Sequence, residues 1–192
     1  MRQPSVSSIF SISEVSRFWV LVLVAAFLSS CYGPDADLTE SGQGRPTIDV
    51  KFPSSVAPGS VHDMEVTVDN PGPGDLSILS VSFTLVGVAG EPQPPDPLVQ
   101  PGTKSRSVSI VSVDPVPGSV SEDGTIYLFG DTDAASTPGP FLAEGASASL
   151  TFRVRIPDRI GLLANSVTAY DGREPTRARG VLVKTEVEAD AG

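Results

Sequence analysis

From Thr47 onward, apolar and polar residues alternate one for one, the periodicity of a strand with one buried and one wet face. Ile48, Val50 and Phe52 share a face in 47–52, with Thr47, Asp49 and Lys51 opposite. In 61–69, Met64, Val66 and Val68 oppose Asp63, Glu65, Thr67 and Asp69. In 77–85, Leu79, Val81, Phe83 and Leu85 oppose Ser80, Ser82 and Thr84. The cleanest window is 147–156, where Ala148, Leu150, Phe152, Val154 and Ile156 oppose Ser149, Thr151, Arg153 and Arg155. Segments 163–170 and 180–188 complete the set, with Val181, Val183 and Val187 inward on the last. Turn signals fall between them at Pro58-Gly59, Asn70-Pro71-Gly72 and Asp171-Gly172. No window after the first thirty residues repeats at the helical period, and eighteen prolines with eighteen glycines argue against long helices. The expected fold class is all-β, an immunoglobulin-like antiparallel β-sandwich.

The middle, 90–145, is less regular and reads as a long central insertion. Segments 104–113 and 125–129 have strand character, but Val108 and Ile110 are out of phase with Val111 and Val113. A β-bulge would reconcile the two phases. The loops GEPQPPDPLVQPG and GDTDAASTPGPFLAEG are long for a sandwich, and long loops are where binding sites concentrate.

The amino terminus has a different pattern. Phe18 to Leu28 is an uninterrupted apolar run, shorter than the roughly 20 residues that span a bilayer and of the length of a signal-peptide h-region. Arg2 and Arg17 precede it, diluted by Glu14. The run ends in Leu28-Ser29-Ser30-Cys31, which contains the only cysteine and resembles the lipobox of bacterial lipoproteins. That resemblance implies cleavage between Ser30 and Cys31, a diacylglyceryl thioether on the Cys31 sulfur, and acylation of the new amino group by a palmitate-class chain. Two or more chains give stable anchoring where one does not. The alternatives are a free cysteine after a signal peptide cut elsewhere, or an uncleaved anchor. Tyr32 stands where the family's inner-membrane proteins tend to carry aspartate, so the resemblance favours the outer membrane in a Gram-negative host. The expected organisation is signal peptide 1–30, lipidated cysteine and flexible linker 31–46, sandwich 47–188 and a frayed tail 189–192. The linker YGPDADLTESGQGRP is too poor in apolar residues to offset its ordering entropy.

Net charge is −10, and loss of residues 1–30 leaves the balance acidic. An acidic chain without Lys/Arg clusters is not expected to bind nucleic acid. Anionic headgroups repel it too, so the lipid on Cys31 is the expected membrane contact. A lipidated Cys31 would leave no thiol for disulfides, thiolate metal sites or nucleophilic catalysis.

A second resemblance concerns the body of the chain. VTVDNPGPGDLSILSVSF at 66–83 looks like the Hydin-type (ASH) immunoglobulin-like module, as do LAEGASASLTFRVRIPDRIG at 142–161 and VTAYDGREPTRARGVLV at 167–183. Glu144 replaces the family's usual proline, and the stretch between the halves is longer than the family needs. The resemblance implies a non-catalytic adhesion or scaffolding module, with no catalytic residues to transfer.

Candidate chemistry is sparse. His62 is the only histidine, with no G-x-S-x-G motif elsewhere, so neither a triad nor a nitrogen-and-sulfur zinc site can be assembled. Asp131 and Asp133, with Asp123 upstream, form the best polar cluster; the Asp-x-Asp pair in a Gly-rich loop can give calcium two of its six to eight oxygens, while solvated loop carboxylates are the plainer reading. Arg153 and Arg155 either pair across strands with the acidic face of 61–69 or, with Arg159, bind an anion. Tyr127, Phe129 and Tyr170 serve as core or as a contact patch. The expected function is that of a non-enzymatic, lipid-anchored extracytoplasmic module with an envelope protein partner and no resident cofactor. The alternative is a calcium- or carbohydrate-binding envelope lipoprotein acting through the loop around Asp123–Asp133.

Overall fold

The alternating segments form strands of two sheets in a computed structural model that describes residues 45–87, 94–130 and 141–189, all inside a unit spanning Gly42–Gly192. In chain order these are β1 (Thr47–Lys51), β2 (Ser55–Val56), β3 (Val61–Asp69), β4 (Leu79–Thr84), β5 (Ile110–Asp114), β6 (Ser119–Val120), β7 (Ile126–Phe129), β8 (Ser147–Arg155), β9 (Gly161–Asp171) and β10 (Glu174–Val187). One sheet runs β1-β3-β8-β5, the other β2-β10-β9-β4-β7-β6. Every strand pairing is antiparallel except β2 with β10. In the immunoglobulin frame of sheets A-B-E-D and C-F-G, strands β1, β3, β8 and β5 take the first four places and β4, β9 and β10 the other three. The domain is an all-β, immunoglobulin-like sandwich, as the alternation predicts.

The inward residues meet between the sheets. Met64, Val66 and Val68 of β3 and Leu150, Phe152 and Val154 of β8 are buried, while Asp63, Glu65, Arg153 and Arg155 stand in solvent. Phe152 joins the two layers. Its ring centroid lies 5.1 Å from Phe83, 5.1 Å from Tyr127 and 6.3 Å from Phe129, all on the facing sheet and all edge-to-face. Such pairs add about 0.5–1.5 kcal/mol each beyond their area burial.

Four departures from the alternation have physical reasons. Leu85 is expected inward but is 66% exposed, because β4 ends at Thr84 and Leu85 lies beyond its last paired residue. Ser80 and Ser82, expected wet, are buried, because β4 is flanked by β7 and β9 and the β9–β10 turn closes over it. A Cβ on Gly172 in that turn would sit 2.8 Å from Ile78 Cγ2 and 3.1 Å from Ser80 Oγ.

The segment 104–113 is a strand only from Ile110, since Lys104 and Ser105 turn through left-handed backbone (φ 56° and 58°). The bulge is present: the β5–β8 register shifts between Ile110 and Ser112, leaving Val111 as the extra residue. Finally, the proline-rich loop is expected to carry binding, yet its Leu98 and Val99 are fully buried core residues. Asn165 clips this segment in place, accepting from the Val99 N–H at 2.7 Å while donating to the Thr84 carbonyl at 3.2 Å.

Candidate functional site

Of the candidate residues that the structure describes, Asp123 lies in a turn, His62 on β3, Arg153 and Arg155 on β8, Tyr127 and Phe129 on β7 and Tyr170 on β9. Ser30, Cys31, Asp131 and Asp133 lie outside the described residues.

Asp123 sits in the turn between β6 and β7, and the turn itself uses its carboxylate. Oδ1 accepts the Ser121 hydroxyl at 2.6 Å, the Thr125 hydroxyl at 2.8 Å and the Thr125 N–H at 3.1 Å. Those three donors favour the charged form and hold Asp123 below the usual aspartate pKa, the Ser121 bond contributing most. The sequence signal for this arrangement is Ser121-Glu122-Asp123-Gly124-Thr125, an Asx turn with hydroxyls on both sides. Behind it, burial and then the Asp123 charge push Tyr127 up to about 12.

The segment 101–108 is clamped onto this turn. The Gly102 N–H donates to the Asp123 carbonyl and the Ser105 N–H to the Glu122 carbonyl, both at 2.7 Å. Both glycines of the clamp are required by close approach. An ideal Cβ on Gly102 would fall 1.9 Å from the Arg106 carbonyl oxygen, and one on Gly124 would fall 2.0 Å from the Ser107 nitrogen. The clamp fixes the position of Arg106 relative to β5.

At the opposite junction, Asn70 ties the turn after β3 to the turn before β8. Its Nδ2 donates to the Gly74 and Leu142 carbonyls at 2.9 and 3.1 Å, and its Oδ1 accepts the Gly72 N–H at 3.2 Å. Its backbone pairs with Gly145 and Ala146 at 2.7 and 2.9 Å. Glu144, standing where the ASH-type pattern has proline, joins the same knot. Its Oε2 accepts the Gly74 N–H at 3.1 Å, and its own N–H donates to Asp75 Oδ1 at 2.8 Å. Proline has no N–H and no carboxylate, so the departure from the pattern supplies both bonds. The junction is structural: the Asn70 side chain bonds both its own turn and the facing one, and Glu144 bonds across.

His62 and Ser60 lie 2.8 Å apart, the distance of a base–nucleophile pair. The polarity is reversed. Ser60 has one proton and donates it to the Ala57 carbonyl at 2.5 Å, so His62 Nε2 must be the donor toward Ser60 Oγ. The ring packs edge-on against Phe52 at 6.2 Å. This serine is capped rather than activated.

Arg153 stands directly opposite Asp63 in the β3–β8 register, and Arg155 opposite Val61. Arg159 turns elsewhere and bonds Asp96 at 3.0 Å, fastening the proline-rich segment. Among the described residues the other ion pair is Lys51–Glu65 at 3.9 Å, so proximity in register does not bring the Arg153 and Asp63 charges into contact. Tyr127 and Phe129 are core; Tyr170 is half-buried on the outer face of the larger sheet.

No protein-family model matches the chain, and no curated protein does. Among solved structures it is similar to the ASH/PapD-like domain 7 of human CEP192, at 15% identity over 84% of this chain and 96% of that one, with a TM-score of 0.34. A β-glucosidase from Listeria innocua matches at 14% identity over 75% of this chain and 16% of that one (TM-score 0.32). AvmM, which catalyses macrocyclization in alchivemycin A biosynthesis, matches at 14% identity over 78% and 92% (TM-score 0.38). The fold assignment rests on the strand order, not on these likenesses.

Proposed function

We propose that this chain is a lipid-anchored, extracytoplasmic lipoprotein whose immunoglobulin-like domain is a non-catalytic interaction module for a protein of the cell envelope. The observation that carries the reading is the register of three features in one short window: the apolar run Phe18–Leu28, the small residues Ser29 and Ser30, and the solitary Cys31. The capped Ser60 and the Asp123 carboxylate committed to its own turn agree with a body that displays surfaces rather than performs chemistry. Anchoring at a membrane, the outer one in a two-membrane host, raises the module's effective concentration for envelope partners.

Intact mass of the chain extracted from membranes tests the anchor. The expected product begins at Cys31 and carries a diacylglyceryl group and an amino-terminal acyl chain. An aqueous product with residues 1–30 attached and a bare thiol overturns it. Crosslinking in membranes tests the module: specific protein neighbours should appear and be lost in Cys31→Ala.

A further inference from the structure

The smaller sheet ends in β5, a strand with exposed valines around it and two arginines beside it. We propose that the β5 edge docks an extended, acidic segment of the envelope partner, which adds to the four-stranded sheet as a fifth strand. This deepens the interaction-module reading and rests on it.

Three observations converge here. First, among the described residues β5 is the terminal strand of its sheet and pairs only with β8, so no described strand lies beside its outer N–H and C=O groups. Sheet edges of this kind accept extended peptides through main-chain hydrogen bonds. Secondly, β5 and its flanks expose three valines beside a single charge, Asp114, at the end of the strand. Val108, Val111 and Val116 are 68%, 49% and 84% exposed, and the bulge turns Val111 outward beside the ladder. Thirdly, an open groove of about 330 Å³ at the start of β5 is lined by Arg106, Ser107, Val108, Ile110, Val111 and Arg155. Among the described residues neither arginine has a carboxylate within ion-pair distance.

The charge pattern selects the occupant. The chain is acidic overall; the outer face of the same sheet presents Asp49, Asp63, Glu65 and Asp69 two or more strands from β5, and Asp114 at the end of β5 lies beyond the groove lining. Arg106 and Arg155 line the groove as exposed positive charges, the backbone of Arg106 packing against Gly102 and Gly124 of the clamp. A short strand with carboxylates beside the arginines and aliphatic side chains against Val108 and Val111 satisfies both features. A long polyanion is repelled by the remaining surface. Pro115 and Pro117 follow β5 at once, and their missing N–H groups end the ladder, which limits docking to a few residues and sets its register.

The test uses the full chain extracted in detergent and a fluorescein-labelled nonapeptide alternating glutamate with valine, read by anisotropy. Saturable binding is expected, at least tenfold weaker for the lysine–valine counterpart and for the double variant Arg106→Glu with Arg155→Glu. It should vanish when the peptide's central amides are N-methylated. Thermal melting must show the double variant folded; Val111→Lys, which places a charge on the edge, gives an independent variant and should also cost at least tenfold. Absence of saturable binding, equal binding of the lysine peptide, or full binding by both variants overturns the proposal. Self-association abolished by Val111→Lys also overturns it, by making a second copy the occupant. Lost peptide binding with membrane crosslinks intact removes the edge and leaves the module; loss of the crosslinks removes the module itself.

Discussion

The two edges of the four-stranded sheet face the same solvent and are built differently. On β1 the exposed residues are Thr47, Asp49 and Lys51, and Lys51 reaches Glu65 on the neighbouring strand. On the other side, β5 and its flanks expose Val108, Val111 and Val116 together with Ser112 and Asp114, interrupted by one bulge and followed by two prolines. Charges on an edge discourage a foreign strand, because pairing would desolvate them. A bulge and prolines shorten an edge without making it polar. β1 is closed by charge along its length; β5 carries one charge, Asp114, at its end, and is otherwise shaped by its bulge and prolines. The difference shows that edge protection is a property of individual strands rather than of a sheet.

The most drastic way to break the comparison is to remove what both edges lean on. Phe152 lies on β8, between β3 and β5, and packs on three aromatic rings. Phe152→Ala should cost about 3–5 kcal/mol by denaturant unfolding and destabilise both sides together.

Asn70→Ala acts at one end only. It leaves the Gly74 and Leu142 carbonyls and the Gly72 N–H without their side-chain partner, and should cost about 1–3 kcal/mol in the same measurement. The 101–108 clamp shares none of these bonds, so hydrogen exchange at Gly102 and Ser105 should change less than at Gly145 and Ala146.

Tyr127 sharpens the comparison through pH. Its folded pKa is about 12 against 10 when unfolded, so the folded state holds the proton more tightly. Its stabilising contribution is complete below pH 10 and is lost as pH climbs toward 12. The loss should be on the order of 2 kcal/mol, read as the difference in alkaline unfolding between the parent and Tyr127→Phe.

The smallest effects on stability separate the edges most clearly. Lys51→Ala should cost at most about 1 kcal/mol, because the pair with Glu65 is exposed. Val111→Lys should shift stability by no more than about 0.5 kcal/mol. Only the latter should alter peptide binding.

The strand framework was legible in the chain because a half-buried sheet imposes period two on its residues, and 61–69 and 147–156 obey it without interruption. The out-of-phase valines around Val111 announced the bulge for the same local reason. The two-residue strands β2 and β6 were invisible, since alternation needs more positions than they have. Asp123 was visible as a carboxylate, but its commitment to Ser121 and Thr125 appears only in three dimensions.

Sequence by itself determined where the long alternating strands β1, β3 and β8 run and which of their faces turns inward, because those preferences are set by neighbours one or two positions away. Tertiary structure alone decided that Leu98 and Val99 plug the core, that Asn70 and Glu144 knot two turns, and that β5 rather than an inner strand is an edge. Those outcomes depend on segments brought together from distant parts of the chain, and no local pattern encodes which segments will meet.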